Sequence, residues 1–379
     1  MPKIEVRRVS TPAERRAFLH FPWRIYQDDP VWVPPLLPER KKRIDPARGP
    51  FFEHGEAEFF VAWRGREPVG IICAAEDHDR NAFRQEHDAL FGFFECIDDY
   101  DVAVALFETA AAWARARGLD SLLGPFNLDY EDSYGILLEG HDTPQVLLCG
   151  QTPPYYRDFV ERYGFVLGRA GDNIAYEVNL HAPEDDPRLQ RLARIVQVLE
   201  RRGRVSARPA RMDDWDNEID HALRILNKGL AVLADFSPWD RDTFAAHAEA
   251  LRAIMDPDLV IFGLVDGEPV GWALGLPNLN EAVQKANGLR YVWDYPRLWW
   301  YARRRPDCLS FKSIAVDPDY WSRGVDAAMC YTLVQTARAK GYKWMDLSLT
   351  STDNPMTPLL AERMGAHLYR RYRVYRLVL

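Results

Sequence analysis

The chain contains no apolar run near the ~20 residues that a membrane-spanning helix needs, and stretches such as residues 69–75 stop far short of it. Nor do residues 1–16 hold the apolar centre of a secretion signal, so a cytoplasmic protein with no membrane span is expected. Cysteine is scarce. The five, Cys73, Cys96, Cys149, Cys308 and Cys330, form no Cys-x-x-Cys pair, which argues against a disulfide framework and a thiolate metal site. The nine histidines are scattered, and His78 and His87 lack a helical ligand spacing, so no metal is expected. A basic excess is missing too. With 48 Lys and Arg against 56 Asp and Glu, the net charge is -8, and no global field would capture a nucleic acid.

What is present is material for more than one core. The 379 residues exceed the size, roughly 250–300, at which single cores stop growing, and 47% hydrophobic with 27% charged content is that of folded domains. The chain also contains itself twice. Glu67-Pro68-Val69-Gly70 recurs as Glu268-Pro269-Val270-Gly271, and Ala114-Arg115-Ala116-Arg117-Gly118 as Ala337-Arg338-Ala339-Lys340-Gly341. Glu161-Arg162-Tyr163-Gly164 then recurs as Glu362-Arg363-Met364-Gly365, in the same order.

Each copy reads as a hairpin, a strand, a long helix ended by glycine, a strand, a short helix ended by glycine and a closing strand. In the first copy the closing strand covers 174–180; in the second the short helix covers 355–364 and the closing strand 372–379. Between them, 187–202 carries an apolar stripe at Leu189, Leu192, Ile195, Val196 and Leu199, the pattern of an amphipathic helix. The expected organisation is an α/β protein of two units, 1–181 and 204–379, joined by a linker over 182–203. Each unit is a mixed sheet flanked by helices.

The segment Ile314-Ala315-Val316-Asp317-Pro318 through Arg323-Gly324-Val325-Asp326-Ala327, followed by Asp353-Asn354, resembles the GNAT superfamily of acyl-coenzyme A N-acyltransferases. More broadly, residues 26–36, Leu123-Gly124-Pro125-Phe126-Asn127, Pro153-Pro154-Tyr155-Tyr156 and Leu276-Pro277-Asn278-Leu279-Asn280 are similar to a bacterial group of tandem-GNAT proteins. The resemblance implies mostly antiparallel sheets splayed around a ligand. It also implies acetyl-coenzyme A or a longer acyl-coenzyme A as co-substrate and a small-molecule or peptide amine as acceptor.

The same resemblance assigns Ser322, Arg323, Gly324, Val325, Asp326 and Ala327 to the pyrophosphate turn, where helix-start N–H groups favour an anion. It assigns Ile314, Ala315 and Val316 to the strand whose bulge N–H would hold an oxyanion. Departures are visible. Trp321 and Asp326 replace the usual Gln or Arg and small residue, while Val160 and Ala361 stand where the family often has an acidic tyrosine. In the first copy Asp98-Asp99-Tyr100-Asp101 offers carboxylates and no glycine, so this half would shape a cleft rather than bind phosphate.

Several assignments stay open. Asn354 either bonds the ligand or caps a helix, and Glu281 is either a general base or a surface carboxylate. Asn278 and Asn280 are expected at the substrate cleft. Tyr155 and Tyr156 either line it or pack as a satisfied pair. The aromatic and basic stretch 291–305 reads as a lid over an acyl chain or as the patch of a homodimer. Two other functions fit the sequence: a ligand-binding scaffold that lost turnover, and a tandem enzyme drawing aminoacyl groups from transfer RNA.

Overall fold

The computed structural model describes residues 3–181, 187–201, 203–231, 238–252, 254–354, 358, 360–361 and 364–379. The first nine strands are β1 Ile4–Arg8, β2 Gly55–Arg64, β3 Glu67–Asp77, β4 Asp88–Cys96, β5 Ser121–Gly124, β6 Phe126–Asn127, β7 Asp129–Tyr134, β8 Ile136–Glu139 and β9 Val166–Leu167. They are followed by β10 Asn173–Asn179, β11 Val205–Pro209, β12 Val260–Val265, β13 Glu268–Pro277, β14 Cys308–Val316, β15 Trp344–Ser351, β16 His367–Arg373 and β17 Tyr375–Val378.

Two large sheets result, ordered β1-β2-β3-β4-β5-β17-β9 and β11-β12-β13-β14-β15-β10-β16-β8, with β6 and β7 as a separate hairpin. Within the large sheets the pairs are antiparallel except β4 with β5 and β14 with β15. The repeated Glu-Pro-Val-Gly opens β3 and β13, so the central four strands of one sheet reappear in the other. The mixed, mostly antiparallel α/β class is therefore present twice.

The closing strands depart from the sequence reading. β10, expected to close the first sheet, lies between β15 and β16 of the second. The stretch 372–379 breaks at Val374, and its end, β17, inserts between β5 and β9 of the first sheet. Each half lends its last strand to the other. The reason is physical: two similar sheets offer the same unpaired N–H and C=O groups, so local patterning cannot tell which copy a strand will complete.

Helices cover both faces of each sheet. Tyr100–Arg115 is capped by the Asp99 carboxylate and buries Val102, Leu106, Phe107 and Ala110. Its counterpart Val325–Ala339 buries Val325, Ala328, Met329, Leu333 and Ala337, the three-and-four spacing of one apolar face. The linker helix Pro187–Arg201 lies against that second helix. On the other face of the first sheet, Phe18, Trp23 and Leu37 of the N-terminal arm pack on Phe59, Ile71 and Phe93. The expected helix over 355–364 falls partly outside the described residues, Glu362 and Arg363 included. All five cysteines are buried and unpaired. Among the described residues no helix is long and apolar enough to cross a membrane.

Candidate active site

The second sheet splays at its centre. β14 and β15 pair only where Cys308–Phe311 faces Trp344–Leu347; beyond that point β14 follows β13 and β15 follows β10. A bulge sits at the mouth of this gap. Ser313 faces Leu274 while Phe311 faces Gly275, leaving Lys312 as the extra residue. The bulge thus precedes Ile314, Ala315 and Val316, which run on along β13.

After Val316 the chain turns into the Val325–Ala339 helix. Gly324 takes the N-cap position with φ 84°, a conformation that favours glycine, and no side chain caps this helix start. Its first-turn N–H groups thus have no side-chain cap, an arrangement that in general favours an anion. Asp326, half-buried in that turn, opposes a bound anion. Leu199 of the linker helix packs onto Gly324, since a Cβ there would lie 2.6 Å from its Cδ1. Trp321 donates its indole N–H to the Val316 carbonyl at 2.9 Å, and Arg323 stacks on Tyr320. Arg323 is exposed and Ser322 stands at φ 62°.

The first half has the same features with each one filled by its own chain. Its bulge falls at Phe93 and Phe94, and the Phe93 N–H donates to Asn127 Oδ1 at 2.7 Å. The β6–β7 hairpin occupies the space beside β4 so closely that a Cβ on Gly92 would lie 1.5 Å from the Phe126 carbonyl oxygen. The helix start is closed as well. Asp99 accepts from the Asp101 N–H and holds Arg64 at 2.6 Å.

Other candidates are spread around the gap. Both Glu281 oxygens accept main-chain N–H groups, from Asp307 and Cys308 at 3.0 Å each. That carboxylate anchors the start of β14. Burial nevertheless pushes its pKa up, the two N–H groups working against the rise. Asn354 belongs to the turn after β15, its amide directed at Thr350 and its N–H at the Ser351 carbonyl. Tyr156 is fully buried, its hydroxyl accepting from the Cys96 N–H and donating to Glu95, so it is a core residue and does not line a cleft. Tyr155 donates to the Cys96 carbonyl. Asn280 is half-buried at a helix start. Asn278 stands out: it is 1% exposed, yet neither atom of its amide has a partner among the described residues.

Sequence reading missed a buried polar cluster at the base of the gap. Lys312 Nζ donates to the Leu147 carbonyl, to Ser348 Oγ at 2.7 Å and to Asp346 at 3.0 Å, while Tyr369 donates to Asp346 at 2.8 Å. Burial disfavours the Lys312 charge, but Asp346 overrides it and the ammonium titrates above its usual range. Burial and Asp346 push the Tyr369 hydroxyl up as well. The available signal was Lys312, a charged residue in the middle of β14, and the alternating Asp346 and Ser348 of β15. Leu147 belongs to the first half, so this cluster also joins the halves.

Known proteins share this architecture. A sequence model of the Acetyltransferase (GNAT) family matches residues 227–366. The bacterial ceramide synthase of Caulobacter vibrioides is 31% identical over 376 residues, covering 97% of this chain and 95% of that protein. The chain belongs to the GNAT family of acyltransferases. Protein YghO of Escherichia coli is 28% identical over 366 residues, covering 95% of this GNAT chain and 92% of its own. The tandem GNAT protein of the clavulanic acid biosynthesis pathway shares the fold, with a TM-score of 0.57 at 9% identity over 99% of this chain and 98% of that one.

Proposed function

We propose that this GNAT protein transfers an acyl group from acyl-coenzyme A to the amine of a long-chain amino alcohol, with the chemistry in its second half. The observation that carries the reading is the open gap between β14 and β15 ending at an uncapped helix start, where the first half is plugged by Asn127, Phe126 and Asp99. In this reading the pyrophosphate takes the turn of Ser322 to Ala327, and the pantetheine arm runs along Ile314 to Val316. The thioester carbonyl then reaches the bulge at Lys312. The neutral amine attacks that carbon, a C–N bond forms, a main-chain N–H holds the transient oxyanion, and the C–S bond breaks to release the thiol. One proton leaves the amine and one reaches the sulfur, so the exchange balances.

The likeness to a ceramide synthase supports the acceptor class, because a ceramide is the amide of a fatty acid with a long-chain amino alcohol. Asn278, buried with an unanswered amide, would meet the polar head of that acceptor. The test is mass spectrometry of purified protein incubated with sphinganine and either acetyl- or hexadecanoyl-coenzyme A. Amide formed with the long acyl donor is expected. Binding of both donors with no amide from any long-chain or short amine overturns the reading in favour of a ligand-binding protein.

A further inference from the structure

Between β13 and β14 the second half carries an insertion where the first half has only the short His78–Arg84 helix. Its helix, Asp294–Ala302, packs against the Asn280–Lys285 helix and the 287–289 turn. Asp294 is fully buried, accepting from the Tyr291 N–H at 2.9 Å and holding Arg297 at 3.3 Å. Around that anchor the large side chains face solvent: Val292 is 82% exposed, Trp293 61%, Trp299 57% and Trp300 56%. Folding has left three tryptophans in water on one short segment, and an apolar surface of that kind marks a docking face.

Cations frame this face. Arg303 stacks on Trp299 with its guanidinium 3.4 Å from the ring centre, and Arg304 lies over Trp300. With Arg305 they are exposed, and none is in an ion pair among the described residues. A second group arrives from the other end of the chain. Trp23 donates its indole N–H to Asn287 and lies under Arg290, which holds the N-terminal arm against the insertion. The basic helix Leu37–Arg43 packs on the same 287–289 turn. Burial lowers the His20 pKa, and Arg290, Arg16 and Lys41 lower it further by their nearby charges. Arg290, Arg16 and Lys41 thus gather positive charge around the 287–290 turn, and Arg303 to Arg305 add three cations just past the helix, in a chain whose net charge is -8.

We infer that this face docks on an anionic lipid bilayer, the tryptophans seated at headgroup level and the arginines and lysines against lipid phosphates. Tryptophan beside arginine is the pairing that suits the boundary between headgroups and acyl chains. A second copy of this chain fits worse, because a symmetric contact would set Arg303, Arg304 and Arg305 against themselves. The inference stands on the surface alone. It is independent of the acyl acceptor, although a bilayer-docked enzyme would meet a lipid acceptor where that lipid resides.

Vesicle co-sedimentation of the full chain tests it, with vesicles of phosphatidylcholine alone and with about one third phosphatidylglycerol, at low and high salt. Binding to the anionic vesicles that weakens with salt is expected. Changing Arg303, Arg304 and Arg305 together to Gln should lower partitioning by about two orders of magnitude. Trp299→Ser with Trp300→Ser should abolish the binding that survives at high salt. Unchanged melting temperatures establish that these surface variants are folded. No binding to anionic vesicles, or equal binding by all variants, overturns the inference. So does concentration-dependent dimerisation that the tryptophan changes remove while vesicle binding is absent.

Discussion

At the scale of single residues, burial and hydrogen bonding pull Glu95 in opposite directions. Tyr156 accepts from the Cys96 N–H, and its hydroxyl lies 2.8 Å from Glu95 Oε2 and 3.3 Å from the Cys96 carbonyl. The Tyr26 hydroxyl lies 2.8 Å from the Gln151 carbonyl, which can only accept, and 2.9 Å from Glu95 Oε2. Burial is the larger influence and pushes this carboxyl from the usual 4.5 to about 7, while the Tyr156 and Tyr26 hydroxyls, donating to it, work against the rise. The folded state therefore keeps a proton that the unfolded chain releases, so the contribution to stability is full below 4.5 and is lost as pH rises through about 7. In urea unfolding at about pH 5 and about pH 8, Glu95→Gln should remove on the order of 3 kcal/mol of the wild-type decline. An equal decline in both proteins would refute the protonated state. Asn278 invites the opposite kind of experiment. Asn278→Leu deletes a buried amide without a partner, so melting should hold steady or rise, while kcat/KM for the amine acceptor falls about tenfold or more. Lower stability with unchanged turnover would make Asn278 structural. Neither residue's state was legible in the sequence, because burial and partners come from segments far apart in the chain.

At the scale of elements, the two copies of one helix start show what the sequence did and did not convey. The glycine-free Asp98 to Asp101 loop suggested repulsion of phosphate; the structure shows closure as well, with Asp99 satisfying its own helix. Gly324 and the turn before Val325–Ala339 were readable from local pattern, as were β12 to β15 and the helices Tyr100–Arg115 and Val325–Ala339, since short-range spacing determines them; the helices Trp215–Leu230 and Arg241–Arg252 were not read. The plug at Gly92 was not, because it depends on a hairpin some thirty residues later coming within contact of β4. Asp326 permits a direct test of the open helix start. A carboxylate a few ångström from a pyrophosphate charge, with water between, repels it by about 0.5–1 kcal/mol. Asp326→Asn should therefore tighten acyl-coenzyme A binding by about two- to fivefold in calorimetry at low salt, with little change at high salt. Weaker binding would mean that Asp326 orders the turn or that the ligand lies elsewhere.

At the scale of the whole molecule, the exchange of β10 and β17 makes the two halves depend on each other for their folding. Tyr375, 1% exposed, belongs to the first core and donates to Glu161 of the Tyr155–Tyr163 helix, although it lies at the end of the chain. Arg370 in the second sheet is fully buried, and the carbonyls of Thr143 and Gly150 in the first half accept from it. The repeat suggests two units, 1–181 and 204–379; because neither sheet is complete without residues from the far half, we infer that the two fold as one unit. Removal of residues 375–379 tests this at its cheapest point. It takes nothing from the candidate site in β14 and β15, yet it leaves β5 and β9 without their shared neighbour and opens the first core. Intact protein should unfold in a single cooperative transition, and the truncated chain should lose its first half to limited proteolysis and melt well below it. Two independent transitions in the intact protein, or a truncated chain as stable as the whole, would show that the halves fold alone. If they do fold together, loss of acyl transfer in the truncated chain reports on the gap indirectly, through the sheet that Leu147 and the Lys312 cluster connect to it.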